Sequence, residues 1–217
     1  MSTSPDDATA PARLSRDAAD LGRGMYPMLN CLVAPRPIAW VSTLSPDGVA
    51  NVAPHSYFTV ASADPPVVQF TSIGRKDSLR NVEATGEFVV NVVPWSLREA
   101  ANATSVDAPA DVDEFALTGL VTEPSARVRP PRVAASPAAI ECRLLEVRSF
   151  GDRPTSGHVV LGEVLHVAVH EAVLADDGLP DARLLDLAAR GDRMHWVAPG
   201  ELVTIDRPRW RDRPGGA

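Results

Sequence analysis

The chain has 217 residues, 45% of them apolar and 23% charged, with a net charge of −7 and a pI near 5.2. That length suits one large domain or two small ones, with a core that needs no covalent staples. The acidic balance argues against nucleic-acid binding by phosphate neutralisation, and 5% aromatic residues leave little for base stacking.

Residues 1–20 are polar, acidic and rich in Ala and Pro, so a disordered tail is expected there. They lack the apolar centre of a signal peptide, no apolar run reaches membrane-spanning length, and a cytoplasmic location is the expectation. One domain is expected over residues 21–208, followed by a second loose tail over 209–217 that is rich in Arg, Pro and Gly. Cys31 and Cys142 belong to no CxxC or Cys/His cluster and read as buried free thiols in a reducing compartment.

Between the tails the pattern is mostly that of strands. Ile38–Leu44 reads as the first, Ser45-Pro46-Asp47-Gly48 as a turn, and Val49–Ala53 as the returning half of a hairpin. Ser56–Ala61 and Val67–Thr71 are the next two strands, separated by Asp64-Pro65-Pro66. Asp77 or Ser78 can cap a short helix through Glu83 that turns Leu79 and Val82 inward. Glu87–Val93 is a strand, and the capping box Ser96-Leu97-Arg98-Glu99 predicts a helix to about Ala103.

Thr104–Ala139 is irregular and Pro-rich, with a short strand expected at Phe115–Val121. A connection this long is functional or wraps another subunit, and its Phe115, Leu117 and Leu120 could pack on a second copy. In Ile140–Phe150 the inward set Ile140, Cys142, Leu144 slips to Leu145 and Val147, which predicts a β-bulge near Leu144. A loop over Gly151–Gly157, a strand over His158–His170, a helix over Asp181–Arg190 stopped by Gly191, and a last strand over Leu202–Ile205 complete the chain. About seven or eight strands joined largely by hairpins, with few helices, predict a mainly β antiparallel barrel rather than a doubly wound sheet.

The chain has no GxGxxG after a strand, no Walker A motif and no GxSxG. His166 and His170 stand four apart, but on a strand that is roughly 13 Å, too far for one ion, so no metal is expected. His55 and Ser56 are adjacent, so their side chains diverge and a nucleophile–base pair is improbable.

What the sequence does offer is a ring-edge cluster and an anion segment. Ser42-Thr43, Asn51-Val52-Ala53-Pro54 and His55-Ser56-Tyr57 bring hydroxyls, an amide and backbone N–H groups to one end of a hairpin. Such groups can bond the polar rim of a flat heteroaromatic ligand. Lys76 is the sole lysine and stands in Gly74-Arg75-Lys76-Asp77-Ser78, where a glycine, two cations and a helix start suit a phosphate. A solvated charged turn is the plainer reading of any single Arg-Lys pair. The combination favours a phosphorylated ring system.

The motifs Arg36-Pro37-Ile38-Ala39-Trp40-Val41-Ser42-Thr43, Asn51-Val52-Ala53-Pro54-His55-Ser56-Tyr57-Phe58, Asp64-Pro65-Pro66-Val67-Val68 and Arg75-Lys76-Asp77-Ser78-Leu79-Arg80-Asn81 resemble, in order, the flavin reductase-like, FMN-binding split-barrel family. Gly86-Glu87-Phe88-Val89-Val90-Asn91, Val112-Asp113-Glu114-Phe115, Pro130-Pro131-Arg132-Val133, Glu141-Cys142-Arg143-Leu144 and His158–Val164 extend the resemblance over roughly Met25–Pro208. It implies an antiparallel split β-barrel of Greek-key type with a few short flanking helices. It also implies a homodimer with FMN, in preference to FAD, near the subunit interface. Ser42, Thr43, Asn51, Ala53, Pro54, His55, Ser56 and Tyr57 would surround the ring and ribityl chain, and Ser72, Gly74, Arg75, Lys76 and Ser78 the phosphate end. In many relatives Phe replaces His55 and Thr replaces Ser78.

Two activities follow from the resemblance. The first is an NAD(P)H-dependent flavin reductase, which needs no catalytic triad because the flavin does the chemistry. His158 is then the candidate nicotinamide contact or, equally, a brace for the Gly151–Gly157 loop; His195-Trp196 could close the groove, though a Trp there is more often core; and a flavin-dependent monooxygenase would receive the reduced flavin. The second is an FMN-binding electron carrier or flavin store without NAD(P)H turnover. A flavin-free binding module is a third reading, against which the intact Arg75-Lys76-Asp77-Ser78 segment stands.

Overall fold

The computed structural model describes residues 12–210. The expected tails therefore lie largely outside the described residues, although Ala18–Leu21 forms a short helix, α1, inside the first of them. Helix α2 (Met25–Leu32) follows, then strands β1 (Arg36–Pro37), β2 (Ala39–Leu44), β3 (Ala50–His55), β4 (Phe58–Ala63) and β5 (Pro66–Ile73). Next come α3 (Asp77–Thr85), β6 (Glu87–Asn91), α4 (Arg98–Ala103), α5 (Glu114–Thr118), β7 (Thr122–Glu123) and β8 (Arg132–Val133). The long strands β9 (Ala138–Ser149) and β10 (Gly157–Val169) precede α6 (Ala182–Leu185), β11 (Ala189–Arg190) and β12 (Trp196–Val197).

Seven strands form one antiparallel sheet in the order β3-β2-β6-β9-β10-β5-β4. Only β2–β3, β4–β5 and β9–β10 are hairpins; the other neighbours are brought together from distant parts of the chain. The sheet curls until β3 approaches β5, but no ladder joins them, so the barrel is split on that side. The groove described below opens along this side.

Alternation explains which residues fill the barrel. Val41, Val68, Phe70, Phe88, Val90, Cys142 and Val160 form its interior, closed over one end by Leu79 and Val82 of α3. Trp40 and Val52, on the opposite faces of their strands, pack with Phe115 and Val133 of the long connection into a second cluster. β2 is therefore buried on both faces. Gly162 is a packing requirement, because a Cβ there would lie 2.3 Å from Phe88 Cζ. The expected bulge is present: Leu161 faces Glu146 while Gly162 faces Leu144, leaving Leu145 as the extra residue. Val147 resumes the inward set, but Leu145 itself points out and is 52% exposed.

Several local expectations are corrected. Phe115–Val121 is not a strand, because Asp113 caps α5 by accepting bonds from the backbone N–H groups of Phe115 and Ala116, and Gly119 ends it at φ +70°. Phe115 and Leu120 pack on this chain's own second cluster rather than waiting for another subunit; Leu117 is exposed. No capping box forms at Ser96, which lies within a 3-10 turn, Trp95–Leu97, ahead of α4. The predicted Asp181–Arg190 helix stops at Leu185, where Asp186 turns left-handed, and Ala189–Arg190 pairs instead with β1. Leu202–Ile205 has no regular structure; among the described residues the last strand is β12. Cys31 is exposed on α2, whereas Cys142 is buried.

Candidate functional site

A groove of about 340 Å³ runs along the open side of the barrel. One wall is the end of β3 with the β3–β4 corner, Thr71 and Ile73 of β5, and the start of α3. The other is the long connection, from Thr104 to Ala108, together with Glu114 at the start of α5. Tyr26 of α2 also lines it. Of the residues expected from sequence, Asn51, Ala53, Pro54, His55, Ser56, Tyr57, Arg75, Lys76 and Ser78 lie on the groove.

The cationic end is set by the approach to α3. Gly74 has φ +76°, and its N–H donates to Ser156 O at 2.9 Å. A Cβ at Gly74 would stand 2.6 Å from Pro154 O, so only glycine lets the 151–157 loop press against this turn. Ser72 Oγ donates to Gly74 O at 2.8 Å and holds the turn from the inside. Lys76 occupies the N-cap position of α3, and no side chain caps that end, contrary to the expectation for Asp77 or Ser78. The first N–H groups of α3 are thus left for an anion. The neighbouring cations are already paired: Arg75 with Glu83, and Arg80 with Asp77. Among the described residues Lys76 has no carboxylate partner, and it is exposed.

Behind this end lies a buried polar network. Asn81 Nδ2 donates to Thr43 Oγ1 at 3.0 Å, and Thr43 Oγ1 in turn donates to Asn51 Oδ1 at 3.3 Å. Ser78 Oγ donates to the same Asn51 oxygen at 3.0 Å. Asn51 Nδ2 donates to Glu114 Oε2 at 2.9 Å. All five residues are buried. The network orients Asn51 and Ser78, and it ties the sheet wall to the connection wall. Burial, and next the charge of Asp77, raise Glu114 above the ordinary carboxylate range, while the bonds from Asn51 and Val52 oppose the shift.

The other end is neutral and largely apolar. The His55 ring packs 4.8 Å from that of Phe70, and its Nε2 is buried without a partner. Burial lowers its pKa to about 4, the Lys76 charge assists, and a Thr71 backbone bond opposes. Tyr57 donates to Asn30 Oδ1 at 2.8 Å, and burial raises its phenol above the usual value. A second hollow of about 390 Å³, apolar apart from Arg36 and a few polar edges, adjoins this end and shares Ser56, Tyr57 and Thr71 with the groove.

Ser42, Thr43, Ser72, Gly74 and His158 do not line the groove. Ser42 Oγ donates to Pro131 O at 2.5 Å. His158 is 3% exposed and meets Ser149 Oγ through Nδ1 at 2.8 Å, bracing the strands that carry the 151–157 loop. His195 is exposed beside Asp192, and Trp196 packs on the second core cluster, so neither closes the groove. Glu114, Arg80, Tyr26 and residues 104–108 line it without having been assigned ligand roles from the sequence. Glu114 and Arg80 carried a signal, within Val112-Asp113-Glu114-Phe115 and Arg75–Asn81. Among the described residues no cluster of three or more His, Cys, Asp or Glu could hold a metal ion, and no helix is long and apolar enough to cross a membrane.

The described residues thus form a split antiparallel barrel with a groove along its open side. Residues 32–187 match the flavin reductase like domain, and the chain belongs to that family. An uncharacterized protein of Deinococcus radiodurans is 36% identical over 203 residues, covering 87% of this chain and 88% of its own. The structure of nitrilotriacetate monooxygenase component B from Bacillus cereus superimposes with a TM-score of 0.86 at 28% identity, over 90% of this chain and 100% of that one. The 2-nitrobenzoate 2-nitroreductase NbaA of Pseudomonas fluorescens superimposes with a TM-score of 0.82 at 25% identity, over 90% and 96%.

Proposed function

We propose that this protein binds FMN in the groove and reduces it with a nicotinamide nucleotide, working as a homodimer. One observation carries the reading: an unpaired lysine beside the uncapped start of α3, at the end of a groove whose other end is neutral and apolar. A phosphorylated flat ring needs both ends. Family membership supports the flavin, and the orphaned Nε2 of His55 supports a ring with polar atoms.

In this reading Lys76 and the free N–H groups of α3 hold the phosphate, and Ser78 sits beside them with Asn51 behind it. The Ala53–Tyr57 corner and Thr71 flank the ring. His55 stays neutral at physiological pH, since its pKa is near 4, and so adds no charge against the ring. Bound FMN supplies the hydride chemistry. The chain contributes position and an enclosed surface, and the adjoining hollow gives the nicotinamide ring an apolar bed. Exposed Tyr26, Leu29, Leu32 and Val33, with Val60 on edge strand β4, support a second copy at this side. The name of the Bacillus cereus protein supports a monooxygenase as recipient of the reduced flavin.

The test is to add FMN to the purified protein, confirm quenched flavin fluorescence, and then add NADH and NADPH separately without oxygen. Bleaching of the flavin absorption is the expected result. Bound FMN that neither nucleotide bleaches would replace the reductase with an electron carrier or flavin store.

A further inference from the structure

Glu114 is a buried carboxylate that the proposed chemistry does not use. It is 4% exposed, it lines the groove, and its oxygen is met only by neutral donors, Asn51 Nδ2 at 2.9 Å and Val52 N–H at 3.4 Å. Among the described residues it has no ion-pair partner. It lies at the cationic end, because Asn51, which it holds, also takes the hydroxyl of Ser78. A bare negative charge in that position opposes a phosphate.

We infer that Glu114 makes FMN a dissociable ligand: its charge offsets Lys76, so the phosphate is held firmly enough to seat the flavin and loosely enough to leave after reduction. This rests on the FMN reading above and goes on to say why the flavin is passed on rather than kept. A reductase that feeds another enzyme by diffusion must release its product. The neutral partners of Glu114 give it the needed character, since a paired carboxylate would be silent toward the phosphate.

The charge is also adjustable by protons. A phosphate dianion placed near Glu114 favours its protonated form, so FMN binding and proton uptake at Glu114 are linked, and its repulsion of the phosphate fades as pH falls. The groups around Glu114 are few. Its own helix start carries Asp113, whose carboxylate caps α5. β3 offers the neutral Asn51 and Val52, and α3 offers Asp77, bonded to Arg80. Lys76, Arg75 and Asp107 line the same groove, and Tyr26 with its phenol. His55 shares the groove, but with a pKa near 4 it does not titrate between pH 6 and 8. Burial raises Glu114, and its place on the groove puts it where a bound phosphate would raise it further.

The experiment compares FMN with riboflavin, which lacks the phosphate. Glu114→Gln keeps an acceptor for Asn51 and Val52 and removes the charge. At pH 8, FMN should bind about tenfold tighter to Glu114→Gln than to the unmodified protein, with riboflavin affinity unchanged. The FMN phosphate itself gains a proton at about pH 6, so the companion result is a comparison at each pH: the variant's excess affinity for FMN should shrink as pH falls from 8 to 6, while riboflavin shows no difference between the two proteins. FMN affinity that is unchanged or weaker in a variant that still binds riboflavin overturns the inference. If the variant binds neither, FMN that stays on the unmodified protein through dilution and gel filtration at pH 8 overturns it alone. Should the unmodified protein bind neither flavin, it is the FMN reading that falls.

Discussion

The two walls of the groove are built differently. The sheet wall, from β3, β5 and the start of α3, consists of consecutive residues held by strand pairing and by one glycine turn. The connection wall, Thr104–Ala108 and Glu114, is held to the barrel by a few side-chain bonds and by Phe115 in the second core cluster. One is Trp40 Nε1 donating to Thr104 Oγ1 at 2.9 Å, another Asn51 to Glu114. The first wall carries the unpaired cation, the second the unpaired acid. In the proposed reading, position and attraction come from the first wall and release from the second.

The largest test of the sheet wall is pH. His55 titrates near 6.5 in an unfolded chain and near 4 when folded, so the folded state excludes a proton that the unfolded state takes up. Stability associated with neutral His55 is complete above about pH 6.5 and is lost as pH falls toward 4, by about 3 kcal/mol. His55→Phe should flatten that part of the acid-unfolding profile; an unchanged profile would mean the ring is open to water.

Next in size is the cation. Lys76→Ala should weaken FMN about ten- to a hundredfold and leave riboflavin unaffected, measured by fluorescence titration. Equal losses for both ligands would assign Lys76 to the fold rather than to the phosphate.

The attachment of the connection wall comes third. Thr104→Val leaves Trp40 Nε1 buried without its acceptor and should lower stability by about 1–2 kcal/mol in urea unfolding. If the two walls are independent, riboflavin affinity of the folded variant will not move; if it falls, the second wall shapes the ring site as well.

The smallest effect is expected behind the sheet wall. His158→Ala should cost about 1 kcal/mol of stability through the lost Ser149 bond and leave the anaerobic rate of flavin bleaching unchanged. A fall in that rate at constant FMN affinity would return His158 to the nicotinamide.

The difference between the walls is also a difference in legibility. The hairpin turn and the bulge near Leu144 are local signals and both form, although Leu145, expected inward, points out. Glu114 and Asn51 are 63 residues apart, so their bond has no local trace. The Asp113 cap and the Gly119 stop were present, but the apolar run between them, Phe115-Ala116-Leu117, reads equally as a strand. Ser42 and Thr43 read as ligand groups because the sequence clusters them with Asn51 and Ser56 at the hairpin end, with polar strand ends facing water as the plainer alternative. β2 is buried on both faces, so those hydroxyls serve Pro131 and Asn51 instead. Arg190 illustrates the same limit, since its pairing with Arg36 pulls the chain out of a helix that Leu184-Leu185 and Gly191 otherwise suggest.

Because Lys76 stands alone, the chain offers a single ε-amine to acylating reagents, and it lies exposed at the mouth of the groove. Mild amine labelling followed by peptide mass measurement therefore yields a one-residue footprint. Protection of that peptide reports occupancy of the anion end directly, for colourless phosphates as well as for flavins, and even in mixtures where absorption is masked.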